Sequence, residues 1–146
     1  MVSPRKTWAE KMDNGHEPEV KPIDADWAGM KKGDLMLIST PLEIRDYVKR
    51  IPAGEHREIN QMRLDLAHKH EADGMCPMTA AMFLRIVAEE AIDELNSGKK
   101  PEEITPFWRL VSPNDKIFKK ISASFLPPFT PDFVAKMRTF ESSTLK

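Results

Sequence analysis

Apolar positions along the chain cluster into a few segments with a clear period. Leu42, Ile44, Tyr47, Val48 and Ile51 form a mostly helical stripe. Ahead of it, Ser39-Thr40-Pro41-Leu42-Glu43 places Thr at the N-cap, Pro at the first helical position and Glu three residues after the cap. Pro52-Ala53-Gly54 stops this helix. A second helix is predicted over about Glu58 to His70, with Ile59, Met62, Leu64, Leu66 and Ala67 apolar and Asp73-Gly74 as its end. A third, from about Met78 to Asn96, repeats Ala81, Phe83, Leu84, Val87, Ala88, Ala91, Ile92 and Leu95 at spacings of three and four. Ser97-Gly98 ends it, and Glu89, Glu90, Asp93 and Glu94 are expected on or near its solvent side.

Beyond a connection at Gly98 to Glu103, the pattern changes. Phe107 to Val111 and Lys116 to Ile121 are short apolar and aromatic runs around Ser112-Pro113-Asn114-Asp115, which predicts a β-hairpin. Thr130-Pro131-Asp132-Phe133 starts a last helix, to about Phe140, by the same cap-and-proline logic. Residues 1–34 have little periodicity and several Pro and Gly residues, which predicts an N-terminal arm lying on the domain or partly disordered, with Trp8, Ile23 and Trp27 as the residues that could pin it down. Three helices followed by a hairpin is the element order of a winged-helix domain. The expected architecture is therefore α+β and winged-helix-like over residues 35–126, with an arm at 1–34 and a C-terminal extension with a short helix at 127–146.

Composition narrows the class. With 146 residues, 40% hydrophobic and 31% charged, the chain can bury one ordinary core. It lacks a run of roughly 18 apolar residues and an apolar segment at its start, so neither a membrane span nor an export signal is expected. The single cysteine, Cys76, cannot form an internal disulfide or a Cys-rich zinc site and fits a reducing cytoplasm. The charges nearly cancel, yet residues 106–146 hold 7 basic and 3 acidic groups, a local excess of +4. A local basic face is the electrostatic requirement for nucleic-acid binding.

Two segments resemble the DNA-binding C-terminal domain of the methylated-DNA-protein-cysteine methyltransferases and their inactive alkyltransferase-like relatives. Val48 to Glu55, followed by Ile59-Asn60-Gln61-Met62, resembles the Ile-Pro-x-Gly turn and the start of the family's second helix. Ile104-Thr105-Pro106-Phe107-Trp108-Arg109-Leu110-Val111 resembles the stretch that holds the alkyl acceptor. The resemblance spans roughly residues 41–121. It also looks closely like a branch with Lys-Thr-Trp near the N-terminus (Lys6-Thr7-Trp8), Cys-Pro-x-Thr before the long helix (Cys76 to Thr79) and Thr-Pro-[Phe/Tyr]-Trp-Arg (Thr105 to Arg109). On that register Phe107 stands where the acceptor cysteine would be and Trp108 where the activating histidine would be. A benzyl group has no nucleophile, so alkyl transfer cannot occur there. The nucleotide-rotating tyrosine falls at Asn60, and the arginine finger falls near Ala81 or Met82. The family's C-terminal Glu-Gly segment has no visible counterpart. Arg109 carries over with a largely structural role.

The resemblance implies an inactive alkyltransferase-like protein that binds DNA, alkylated or otherwise damaged, without a cofactor or metal. Candidate DNA contacts are Arg63, Thr79, Arg85, Arg109, Lys116, Lys119 and Lys120. Asn60, Phe107 and Trp108 are candidates for a base pocket, since an aromatic face can stack a base. The competing reading of the two rings is core packing, and the wing lysines could equally protect an edge strand. A second function class is a protein-interaction module that has lost DNA binding, suggested by the long helix and by Phe125, Phe129, Phe133 and Phe140. A third is an enzyme using Cys76, at the start of the long helix, as a thiolate. His68 and His70 have poor spacing for a zinc site and are expected at an exposed helix end.

Overall fold

The structure is a computed structural model that describes residues 7–13, 15–111 and 131–144. It is a mixed α+β arrangement of helices around a small sheet. The helices are α1 (Trp8–Met12), α2 (Pro41–Arg50), α3 (Ile59–Lys69), α4 (Pro77–Asn96) and α5 (Pro131–Thr144). The strands are β1 (Glu19–Pro22), β2 (Leu35–Ile38) and β3 (Gly74–Met75), in the order β1-β2-β3. β1 is antiparallel to β2, pairing Glu19 with Ile38 and Pro22 with Leu35. β3 is parallel to β2, pairing Met36 with Gly74. No described helix is long and apolar enough to cross a membrane.

The start of α2 follows from its sequence. Thr40 is the N-cap, its hydroxyl accepts from the Glu43 N–H at 3.2 Å, and Pro41 occupies the first turn. α4 is the centre of the core. Its Ala80, Leu84, Val87, Ala88, Ala91 and Ile92 are buried, and it packs against α1 and α2. Ile44, Val48 and Ile51 of the α2 segment, Met62 and Leu66 of α3, and Leu37 and Met75 of the sheet complete that core.

Several expectations are corrected. The described residues of the N-terminal arm lie on the domain: β1 pairs with β2, and α1 packs on α4. All four β1 residues are exposed, so the hydrophobic pattern carried no sign of the strand. Met12 and Met30 are buried, Trp8 and Ile23 are half-buried, and Trp27 is 41% exposed. Phe107–Arg109 is a 3-10 turn, not the first strand of a hairpin. Phe107 and Trp108 are both buried although adjacent, which a strand with alternating faces would not allow. The remainder of the predicted hairpin lies outside the described residues, as do Phe125 and Phe129. Leu64, expected on an apolar face, is exposed.

The acidic run on α4 is only partly a solvated face, with Asp93 exposed and Glu94 half-buried. Glu89 and Glu90 are buried, and Glu89 Oε2 accepts from Arg85 Nε at 3.1 Å. Burial, then hydrogen bonding and repulsion from Glu94, push Glu90 up to about 7, against the opposing pull of Arg45 and Lys99. His70 is not a free helix-end residue. Its Nε2 lies 2.6 Å from Glu43 Oε2, a buried carboxylate that also takes bonds from Ser39 and Lys69.

Candidate functional site

The segment that resembles the acceptor stretch is folded around one carboxylate. Thr105, Pro106, Phe107 and Trp108 are buried. Trp108 Nε1 donates to Glu141 Oε1 at 2.5 Å, and Arg109 donates to Glu141 through Nε at 2.9 Å and Nη2 at 2.7 Å. Arg138 Nε donates to the Trp108 carbonyl at 2.6 Å. Glu141 and Arg138 belong to α5, so this helix is held to the turn at 107–109 by charge-assisted bonds. Burial alone would raise the Glu141 carboxyl. The Arg109 fork and the indole N–H outweigh it and hold Glu141 below the usual carboxylate range.

Arg109 also joins the two segments that carry the resemblance. Its Nη1 donates to the Ile51 carbonyl at 2.7 Å, and its own carbonyl accepts from the Arg57 N–H at 2.9 Å. Between these contacts runs the turn Ile51-Pro52-Ala53-Gly54, where Gly54 has a φ of +87°, a conformation that costs an L side chain energy and glycine nothing comparable.

Two openings flank this junction. One is a cleft of about 730 Å³ walled by Ile104, Pro106, Trp108, Met137 and Phe140, with Lys49 and Lys136 among its polar groups. The other is a recess of about 650 Å³ lined by His56, Arg57, Glu58, Ile59, Asn60, Leu110 and Arg138. Both volumes fall in the roughly 300–1,000 Å³ range of small-ligand pockets. The recess has two guanidinium groups against one carboxylate. Burial and the charge of Arg138 lower the His56 pKa, so the imidazole is biased toward its neutral form. α3 begins here with Glu58 at its N-cap position and no side-chain cap bond, and a helix start carries partial positive charge.

The candidates from the sequence are distributed differently from expectation. Asn60 is exposed and lines the recess. Phe107 and Trp108 lie in the core, with ring centroids 5.6 Å apart in an edge-on arrangement, so their packing is the core packing that aromatic residues favour. Phe107 lines neither opening, while Trp108 contributes to the wall of the cleft. Arg63 donates to the Met75 carbonyl, Thr79 to the Cys76 carbonyl, Arg85 to Glu89 and Arg109 to Glu141 and Ile51. These four side chains are each engaged within the fold. The Arg85 guanidinium also lies 5.6 Å from the Trp8 ring centre. Lys116, Lys119 and Lys120 lie outside the described residues.

Cys76 is buried at the N-terminal end of α4. Among the described residues, no three His, Cys, Asp or Glu side chains are grouped to hold a metal ion. Glu141, His56, Arg57 and Arg138 were missed by sequence reasoning. The signal for Arg57 was its place between the Ile-Pro-x-Gly turn and α3; nothing local marked Glu141, which meets its partners 32 and 33 residues away. Comparison with known families, curated proteins and solved structures finds no match for this chain.

Proposed function

We propose that this protein is a catalytically inactive, alkyltransferase-like DNA-binding protein on a winged-helix plan, and that the recess beside Asn60 receives a nucleotide. The observation that carries the proposal is the position of that recess. It is net basic, it opens at the start of α3, and it is lined by the residue that the resemblance aligns with the nucleotide-rotating tyrosine. Two further features support it. The Ile-Pro-x-Gly turn and the acceptor-like stretch, far apart in sequence, are bonded to each other through Arg109. α2, α3 and α4 also follow one another in the order a winged-helix domain requires.

Chemistry at the acceptor position is excluded by the residue there. Phe107 has no nucleophile and is buried, so a bound base would be recognised and not dealkylated. Trp108 in the histidine position spends its N–H on Glu141, a stabilising contact. In this proposal the wall of the nucleotide site is Asn60, Leu110 and the two arginines.

The test is fluorescence anisotropy on two matched duplexes, one plain and one with a single O6-alkylguanine, at low and physiological salt. Binding that weakens with salt and favours the lesion is the expected result. Equal, salt-sensitive affinity would retain DNA binding and remove lesion recognition. Absence of binding to either duplex at low salt would overturn the proposal and favour a protein partner.

A further inference from the structure

The recess has a neutral hydrogen-bonding group at its edge whose polarity is set from outside. Asn60 lines both the recess and a smaller hollow of about 300 Å³, which Arg63 lines too. Arg63 does not line the recess. It is tied down by two bonds to the Met75 carbonyl, from Nε at 3.2 Å and Nη2 at 2.8 Å, and its Nη1 stands 3.3 Å from Asn60 Oδ1. A guanidinium has only donors, so the amide atom that faces it must be the oxygen. The opposite rotation would set NH₂ against N–H. The two N–H bonds of Asn60 Nδ2 are left over, and no acceptor among the described residues takes them.

We infer that Arg63 is a positioning residue that locks Asn60 as a hydrogen-bond donor, so that the recess favours a nucleobase whose exposed edge carries a carbonyl oxygen over one that carries an amino group. The inference rests on the nucleic-acid reading of the recess and specifies which bases it takes. A phosphate oxygen is also an acceptor, but the recess already holds Arg57 and Arg138, whose charges suit phosphate better than a neutral amide does. The amide is the group whose fixed direction can distinguish one base edge from another. Arg63 thereby has a different task from the direct DNA contact expected of it from sequence.

Thymine and cytosine make the cleanest comparison, because one presents the O4 acceptor where the other presents the N4 amino group. Each is placed as a single unpaired bulge in the same duplex, since an unpaired base costs least to take out of the stack. Affinities are read by anisotropy across a salt series. The wild-type protein is expected to bind the thymine bulge roughly threefold to tenfold more tightly. Asn60→Asp exchanges the N–H pair for a second acceptor at an exposed position and is expected to abolish or reverse the preference. Arg63→Met frees the amide to rotate and is expected to bring the two affinities within about twofold, with the salt slope unchanged.

A salt slope shallower by about 1 in Arg63→Met, with the thymine preference intact, would make Arg63 a phosphate contact and overturn the inference. Persistence of the preference in Asn60→Asp would overturn it as well, and that variant decides the question if melting shows that Arg63→Met does not fold. Equal wild-type affinity for the two bulges overturns this inference alone. Absence of binding to both at low salt overturns the nucleic-acid reading together with it.

Discussion

Glu90 and Glu141 are both buried carboxylates, and their surroundings push them in opposite directions. Glu141 is compensated by the Arg109 fork and the Trp108 indole, and its pKa is lowered. Its contribution is therefore present above the unfolded carboxyl value and is lost as pH falls through the lower folded value. Glu141→Ala removes the carboxylate that Arg109 and Trp108 share. It should cost roughly 3 kcal/mol, the low end for breaking a buried pair because Arg109 keeps some water. Chemical denaturation at neutral pH measures this, and the gap from wild type should narrow toward pH 3. Glu90 has the reverse sign. Its folded pKa of about 7 lies above the unfolded value, so its stabilising effect is complete in acid and is lost as pH rises toward 7 and beyond. Glu90→Gln should therefore stabilise the protein at pH 8, by on the order of 1 kcal/mol, and change little at pH 4. A melting series across pH would detect this, and equal shifts at both ends would contradict it.

At the scale of elements, helices were legible where caps and period agreed. Thr40 and Pro41 place the start of α2 without reference to the rest of the chain, and Thr40→Ala should cost about 1 kcal/mol in a denaturation experiment. α3 and α4 follow the predicted spans within a residue or two, because most of their apolar repeat lies on the buried faces, with Leu64 and Ala81 exposed. The short strands were not legible. β1 has no buried residue and exists because its backbone pairs with β2, while β3 is two residues long. The sequence around 107–109 predicts a strand, because two aromatics beside β-branched and aliphatic residues have high strand propensity, yet it forms a 3-10 turn. Packing of Phe107 into the core and of Trp108 onto Glu141 overrides that preference.

Charge belongs to the whole molecule. A net charge of −1 gives no long-range attraction to DNA, so affinity must come from local groups. With Arg57 and Arg138 as the described cations of the recess, log K should fall with log salt at a slope of roughly −2, steeper by the number of other phosphate contacts. Arg57→Gln should make the slope shallower by about 1 and weaken binding uniformly across sequences. An unchanged slope would remove Arg57 from the interface. The four described basic and polar candidates chosen from sequence turned out to be bonded within the fold, because a sequence does not say whether a cation faces water or a carbonyl.

The chain by itself determined the α+β class, the positions of α2, α3 and α4, and the absence of a nucleophile from the side chain of Phe107. These depend on short-range facts: caps, apolar period and the chemistry of one side chain. Tertiary structure alone decided the three-stranded sheet, the burial of Glu89 and Glu90, the joining of α5 to the 107–109 turn through Glu141, and the recess at Asn60. Each of these comes from residues distant in sequence meeting in space, where burial and pairing outweigh local preference.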